Sequence, residues 1–426
     1  MDVGRKLTIL VASAVAALAA IPAVASATAW VSQAPVKTPF NSCANPGFNS
    51  IQSAINTPVT SVHVCKGTYV EQLQIERAVS VVGEAGLTTV KLPASPADST
   101  TPCAVAGEQD VIGICGKGVE TVKLAGLTIE GFWPEDTCKE QLYGVIVGGK
   151  ANLVMNNSSV LGAGASPING CQGGVGVRVG RSSTSQVGTA ILTGITVSGY
   201  QKNGISIDGK ESKATINKAT VTTAPSALIA QNGIQVGRGA VGKITEATIT
   251  GNECNLPSTC GPNSQTQTQS TGVLFFEEAK GSFVTKSKIA ENDIGVYHLA
   301  QTEVNAPAAS ITANTLEGDR YESVVLDQGY ALVNKDEMSK GNIGIQLIQY
   351  AGQAFGPRGT GSEDTVKEMS GFAVEGSSDN EPSDQFGSFT ITKSKISGNP
   401  PAATVAGSVF TNNPTKLKIF VTPSDT

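Results

Sequence analysis

The chain has 426 residues and a net charge of −5, with 15% charged residues, 5% aromatics and 48 glycines. An excess of acid over base argues against a nucleic-acid partner, because phosphate binding needs clustered cations. Abundant glycine with few charges suits a chain of many tight turns rather than a helical globule.

The first element is a leader. Met1, Arg5 and Lys6 precede the apolar run Leu7 to Ala20, and Pro22-Ala23-Val24-Ala25-Ser26-Ala27-Thr28-Ala29 follows. A basic start, a short apolar stretch and alternating small residues predict a cleavable secretory signal over 1–29, cut after Ala27 or Ala29. The run is too short for a membrane anchor, and no later segment reads as a span. The expected localisation is secreted or extracellular, with attachment to the cell surface left open.

All eight cysteines lie beyond the leader. An even count in an exported chain favours disulfides. Pairing of sequence neighbours gives Cys43–Cys65, Cys103–Cys115, Cys138–Cys171 and Cys254–Cys260, although other connectivities stay open. No C-x-x-C occurs and the two histidines, His63 and His298, are far apart, so no metal site is expected.

Residues 30–61 form an N-terminal segment in which Phe48, Ile51, Ala54 and Ile55 share one helical face. A short helix here would cover the open end of the structure that follows. From 62 to 413 the chain repeats. One unit is glycine followed by two apolar residues around a variable one: Gly144-Val145-Ile146-Val147, Gly176-Val177-Arg178-Val179, Gly204-Ile205-Ser206-Ile207 and Gly233-Ile234-Gln235-Val236. It returns at Gly272, Gly295 and Gly344, and at Ser323 with serine in place of glycine. The units start 32, 28, 29, 39, 23, 28 and 21 residues apart. Between them run apolar pairs five apart, among them Leu124/Ile129, Met155/Val160, Leu192/Val197, Ile216/Val221 and Ile244/Ile249. Residues five apart on one straight strand face opposite ways, so both can face inward only across a corner. Asparagines ahead of the units, at Asn203, Asn232, Asn292 and Asn342, suit sharp turns and side-chain ladders.

The pattern predicts an all-β, single-domain solenoid of about ten to twelve three-stranded coils. It resembles the right-handed parallel β-helix of the pectate-lyase-like superfamily. The opening Phe48 to Ile55, Val62-His63-Val64 and Gly67-Thr68-Tyr69-Val70-Glu71 is similar to the start of pectinesterase-like β-helix proteins, where the first segment is a capping helix. Three interruptions are expected: Pro96 to Lys117, Pro134 to Cys171, and a mobile loop over about 350–386 rich in glycine, serine and acid. Residues 414–426 read as a tail.

Function on such a solenoid lies on outward side chains and loops. The middle residues of the units should stack outward as Ile146, Arg178, Ser206, Gln235, Leu274, Tyr297, Val325 and Gln346. Lyases of the resembled superfamily place calcium-binding carboxylates and a basic residue on such a face. This column holds one arginine and no acid. A step further lie Arg181, Asp208, Lys210, Arg238, Glu277, Glu278 and Asp327. The candidate substrate-binding set is Arg178, Arg181, Asp208, Arg238 and Tyr297.

No catalytic set is legible. The motifs of pectinesterases, polygalacturonases and alginate epimerases are missing, and Gln109-Asp110 matches the first only slightly. His298 falls at an inward position, where a satisfied core group is the expectation, and His63 faces outward. Glu277 and Glu278 should diverge, Trp133 is a candidate for stacking on a sugar, and Gly318-Asp319-Arg320 reads as a turn with a surface ion pair. No cofactor is implied. Carboxylates from Asp379 to Asp384 are of the kind calcium takes, in a spacing that matches no regular calcium loop.

Two readings stand nearly level. One is a secreted protein that binds an extracellular polysaccharide or cell-wall component and modifies it, if at all, as a lyase or esterase on uronate-type polymers. The other is a non-catalytic adhesin or structural solenoid. Oligomeric state is not encoded in these patterns.

Overall fold

A computed structural model describes residues 28–421 except 117, 119, 134–140, 166–167, 224–228, 264–265, 301–307, 350–355, 379–386, 398–407 and 412–416. The expected leader before Thr28 lies outside the described residues. The chain visits three parallel sheets in turn. Sheet 1 runs through 14 strands from Thr28–Val31 to Leu417–Val421. Sheet 2 has 12 strands from Gly67–Val70 to Lys395–Ser397, and sheet 3 has 12 from Leu73–Ile75 to Ser408–Thr411.

Inward side chains stack coil on coil. Val197 lies over Val221 and Val221 over Ile249 in sheet 2. In sheet 3, Val145, Val177, Ile205, Ile234 and Val273 form one buried row. The apolar pairs five apart straddle the corner from sheet 1 to sheet 2, as Leu192 and Val197 do. Between them sits a residue with positive φ, such as Lys218 (54°) or Lys335 (59°), whose long side chain points to solvent. The glycine of each repeat unit has a steric cause. A Cβ on Gly204 would stand 2.6 Å from the carbonyl oxygen of Gly233, and one on Gly233 equally close to that of Gly272.

The capped end is tied down by charge. Ser50 caps the helix Ile51–Ile55, and the Glu71 carboxylate accepts from the amides of Ile51 and Gln52 at 3.0 Å. Ile51, Ala54 and Ile55 are buried, with Phe48 packed beside them. At the other end of this helix Arg77 donates to the carbonyls of Ile55, Thr57 and Val59, satisfying acceptors the helix leaves open. Disulfides join Cys43–Cys65, Cys103–Cys115 and Cys254–Cys260. Cys171 is also disulfide-bonded, while Cys138 lies outside the described residues.

Several boundaries differ from expectation. The interruption at 96–117 contains the strand Glu108–Cys115, and that at 134–171 contains Gln141–Gly148, Asn152–Asn156 and Ser159–Ala165. The segment 350–386, expected as a loop, supplies a coil through Arg358–Ser362, Thr365–Lys367 and Val374–Ser378. Its strand in sheet 1 offers only Gly359 and Gly361 to the interior, and Phe389 of the next coil fills that space; the apolar signal had moved one layer. Leu417–Val421, placed in the tail, pairs as the last strand of sheet 1. Sheet 1 also begins inside the expected leader, with Ala29 and Val31 buried. Cleavage after Ala27 leaves that strand whole, whereas cleavage after Ala29 cuts it.

Candidate functional site

The charged residues gather where sheet 3 turns into sheet 1. Arg178 points outward from Val175–Val179, Asp208 ends Asn203–Asp208, and Arg238 follows Asn232–Gly237. Stacked coils bring the three together. Arg178 Nη2 donates to Asp208 Oδ2 at 2.7 Å and Arg238 Nη1 to Oδ1 at 3.0 Å. The Ser182 amide and hydroxyl donate to Oδ2 at 2.9 and 3.0 Å. Burial alone would push the Asp208 carboxyl up. The Ser182 amide and the two guanidiniums outweigh it and hold the group below the usual range.

Arg181 turns toward the preceding coils. It donates to Glu108 Oε2 at 2.6 Å and to the Tyr143 hydroxyl at 2.8 Å, while that hydroxyl donates to Glu108 Oε1 at 3.0 Å. Burial is the main reason the Tyr143 phenol is pushed up to about 12. The guanidiniums of Arg178 and Arg181 lie 5.9 and 5.5 Å from the centre of its ring. Glu108 and Tyr143 were missed by sequence reasoning. Thirty-five residues separate them, and only the pairing of Gln141–Gly148 with Glu108–Cys115 makes them neighbours.

A cleft opens beside this cluster. Corners 149–151, 209–212 and 238–240 are short, whereas 180–188 is longer and carries the 3-10 turn Ser182–Thr184. Gly209, at φ 91°, lets the corners close up, since a Cβ there would stand 2.9 Å from the Ser182 amide nitrogen. What remains is a cavity of about 460 Å³ lined by Lys150, Arg181, Ser185, Lys210, Glu211 and Arg238, among others. Arg181 and Arg238 have acid partners. Among the described residues Lys150 and Lys210 have none, and Glu211 is the lone carboxylate of the lining. The cleft therefore carries excess positive charge on a chain of net charge −5.

Tyr297 does not join it. The outward column stacks as expected, Gln235 on Leu274 on Tyr297, so an apolar coil intervenes. Its hydroxyl donates instead to Asp327 at 2.7 Å. Beyond Gln346 the column reaches an acid the repeat pattern did not reach, Glu375. Glu277 and Glu278 do diverge. Glu278 turns inward to meet the buried His298 Nε2 at 3.1 Å. His63 faces outward and packs at a tilt of 44° against Trp30, with ring centres 4.3 Å apart. The side chain of Trp133 and the carboxylates of 379–384 lie outside the described residues. Asp319 departs from the expected surface ion pair. It is fully buried and ends a ladder in which Tyr200 donates to Asn252, Asn252 to Asn292, and Asn292 to Asp319 at 3.0 Å. Arg320 pairs with Asp293 instead. The asparagine ladder expected as one column is thus two, since Asn232 and Asn203 pair separately. Metal-type side chains converge at the capped end, away from the cleft, as Cys43, His63, Cys65 and Glu84.

No curated protein matches the sequence. The family described as "Right handed beta helix region" matches residues 175–355. Among solved structures, the periplasmic alginate epimerase AlgG is similar over 85% of this chain and 76% of its own, at 11% identity and a TM-score of 0.54. The Agl-KA catalytic domain is similar over 87% of this chain and 64% of its own, at 11% identity and a TM-score of 0.51. Likeness at such identity is likeness of fold. On that match and the three stacked parallel sheets, the chain is a right-handed parallel β-helix.

Proposed function

We propose that the protein binds an acidic extracellular polysaccharide, with the basic cleft between Lys150, Lys210 and Arg238 as its anchor. The observation that carries this reading is the pair of lysines without acid partners in a cavity large enough for a sugar unit. A cation already matched by a carboxylate gains little from a new anion, whereas an unmatched one is free to pair. The guanidiniums of Arg178 and Arg238, held by Asp208, and that of Arg181, held by Glu108, form a fixed wall that orients the polymer. The fold is shared with AlgG, which is described as an alginate epimerase.

Binding fits the cleft better than turnover. Asp208 is held charged by four donors, and Glu211 stands alone, so the lining offers no matched acid and base for lyase or esterase chemistry. The mature protein, incubated with alginate, polygalacturonate and hyaluronan, should bind all or some of them with an affinity that falls as salt rises. A neutral glucan should not bind. Unsaturated product, new reducing ends or released methanol would replace binding with catalysis. Failure to bind any acidic polymer at low salt would overturn the reading.

A further inference from the structure

At the capped end, three separate segments aim ligand-type side chains at one point. Cys43 comes from the loop before the helix, His63 and Cys65 from the first strand of the repeat and its exit, and Glu84 from the turn after Val79–Gly83. One ligand atom from each lies within 4.8 Å of every other. Cys43 Sγ stands 3.5 Å from Glu84 Oε1. In the oxidised chain the two sulfurs are spent on each other. The other two side chains have nothing comparable to do. Among the described residues neither the His63 ring nor the Glu84 carboxylate takes part in an ion pair, and the ring makes no hydrogen bond while Trp30 fixes its plane from one side.

We infer that the reduced protein binds one divalent zinc-type ion through Cys43, His63, Cys65 and Glu84. Tetrahedral zinc takes this mixture of two thiolates, one imidazole and one carboxylate, with metal–ligand distances of about 2.0–2.3 Å. Ligand atoms around such an ion stand somewhat under 4 Å apart by that geometry, so the two sulfurs must separate from their bonded distance and any pair near the 4.8 Å limit must close slightly. A dithiol reductant supplies two electrons and two protons to the S–S bond and is itself oxidised to a disulfide. The two thiols then lose those protons as the ion binds, leaving a site of net charge −1. The clip between the N-terminal loop and the first coil therefore has two interchangeable forms, one covalent and one coordinate. The C-x-x-C spacing usual in small zinc sites is absent because Cys43 comes from the loop before the helix and only Cys65 from the strand exit.

The test uses the mature chain, reduced with a phosphine under argon and titrated with cobalt(II) as a spectroscopic stand-in, then with zinc in competition. One equivalent of tetrahedral cobalt with a thiolate charge-transfer band is expected, displaced by zinc. The oxidised chain and Cys43→Ser/Cys65→Ser should lack that equivalent, and His63→Ala should weaken it by more than about tenfold. The same titration on a chain with serine at the other six cysteines, its fold checked by circular dichroism, separates this pair from the remaining thiols. A reduced chain that gives no thiolate band in either form, or a band that survives Cys43→Ser/Cys65→Ser, overturns the inference.

Discussion

Asp208 and Asp336 are both aspartates buried at corners of the same solenoid, and their surroundings shift their carboxyls in opposite directions. Asp208 meets two guanidiniums and the Ser182 amide, which hold its carboxyl below the usual range against the cost of burial. Asp336 sits on the corner from sheet 1 to sheet 2, in a row where each side chain serves the backbone of the coil before. Asn314 donates to it through its amide at 2.7 Å and its side chain at 2.9 Å, and the Asp336 amide donates to Asp364 at 2.9 Å. Among the described residues no cation pairs with a carboxylate of that row. Burial, only partly offset by these bonds, pushes Asp336 up to about 7 and Asp364 up to about 8. The second oxygen of each has no partner. At these two corners, backbone and amide donors leave the Asp336 carboxyl raised, whereas two guanidiniums together with the Ser182 donors hold Asp208 low.

The largest break in this contrast is Asp208→Ala, which strands two guanidiniums and the Ser182 donors. It should cost about 3–5 kcal/mol, read from the urea midpoint. The pH profile comes next, because the two corners respond in opposite directions. Asp336 and Asp364 bind their protons more tightly folded than unfolded. Their contribution is complete below about pH 4 and is lost as pH rises through about 7 and 8. Asp208 contributes above its unfolded value and loses that only as pH falls through its lowered one. Stability should therefore decline between pH 4 and pH 8, and Asp336→Asn with Asp364→Asn should flatten the slope. A profile unchanged in the double variant would mean that neither group is protonated in the fold. Arg238→Ala removes a half-exposed partner and should cost less than about 1 kcal/mol. Smallest for stability is Lys150→Ala with Lys210→Ala. It should leave the melting temperature where it was and still abolish the salt-sensitive part of binding to acidic polysaccharide. Equal binding by the double variant would move the anchor elsewhere on the surface.

Much of the fold was legible because a coil repeats its physics. Leu192/Val197 gave away a corner, and Gly204 marked a close approach of two backbones. Legibility failed where one layer borrowed from the next. Gly359 and Gly361 look like a loop only until Phe389 is seen to pack over them. Glu108–Cys115 was hidden inside a cysteine bracket although Ile112 and Ile114 keep the inward alternation. At the site, Arg178, Arg181, Asp208 and Arg238 were visible because repeat spacing fixes which coil each occupies. Tyr143 and Glu108 were not, since neither belongs to the regular unit. Asp319 was misjudged because a turn beside arginine reads as surface, whereas its backbone carries it under the asparagine ladder.

The seating of Phe389 over a strand whose inward positions are both glycine has a further effect on how this rod can evolve. Layers that exchange volume in this way are keyed to one neighbour and no other. Deleting the layer that holds Gly359 would drive an aromatic ring into a space already full, and duplicating it would leave a void that no side chain reaches. Growth and shortening by whole turns, the ordinary freedom of repetitive proteins, is thereby barred at this point, and the length of the rod near its C-terminal end becomes a fixed property of the sequence.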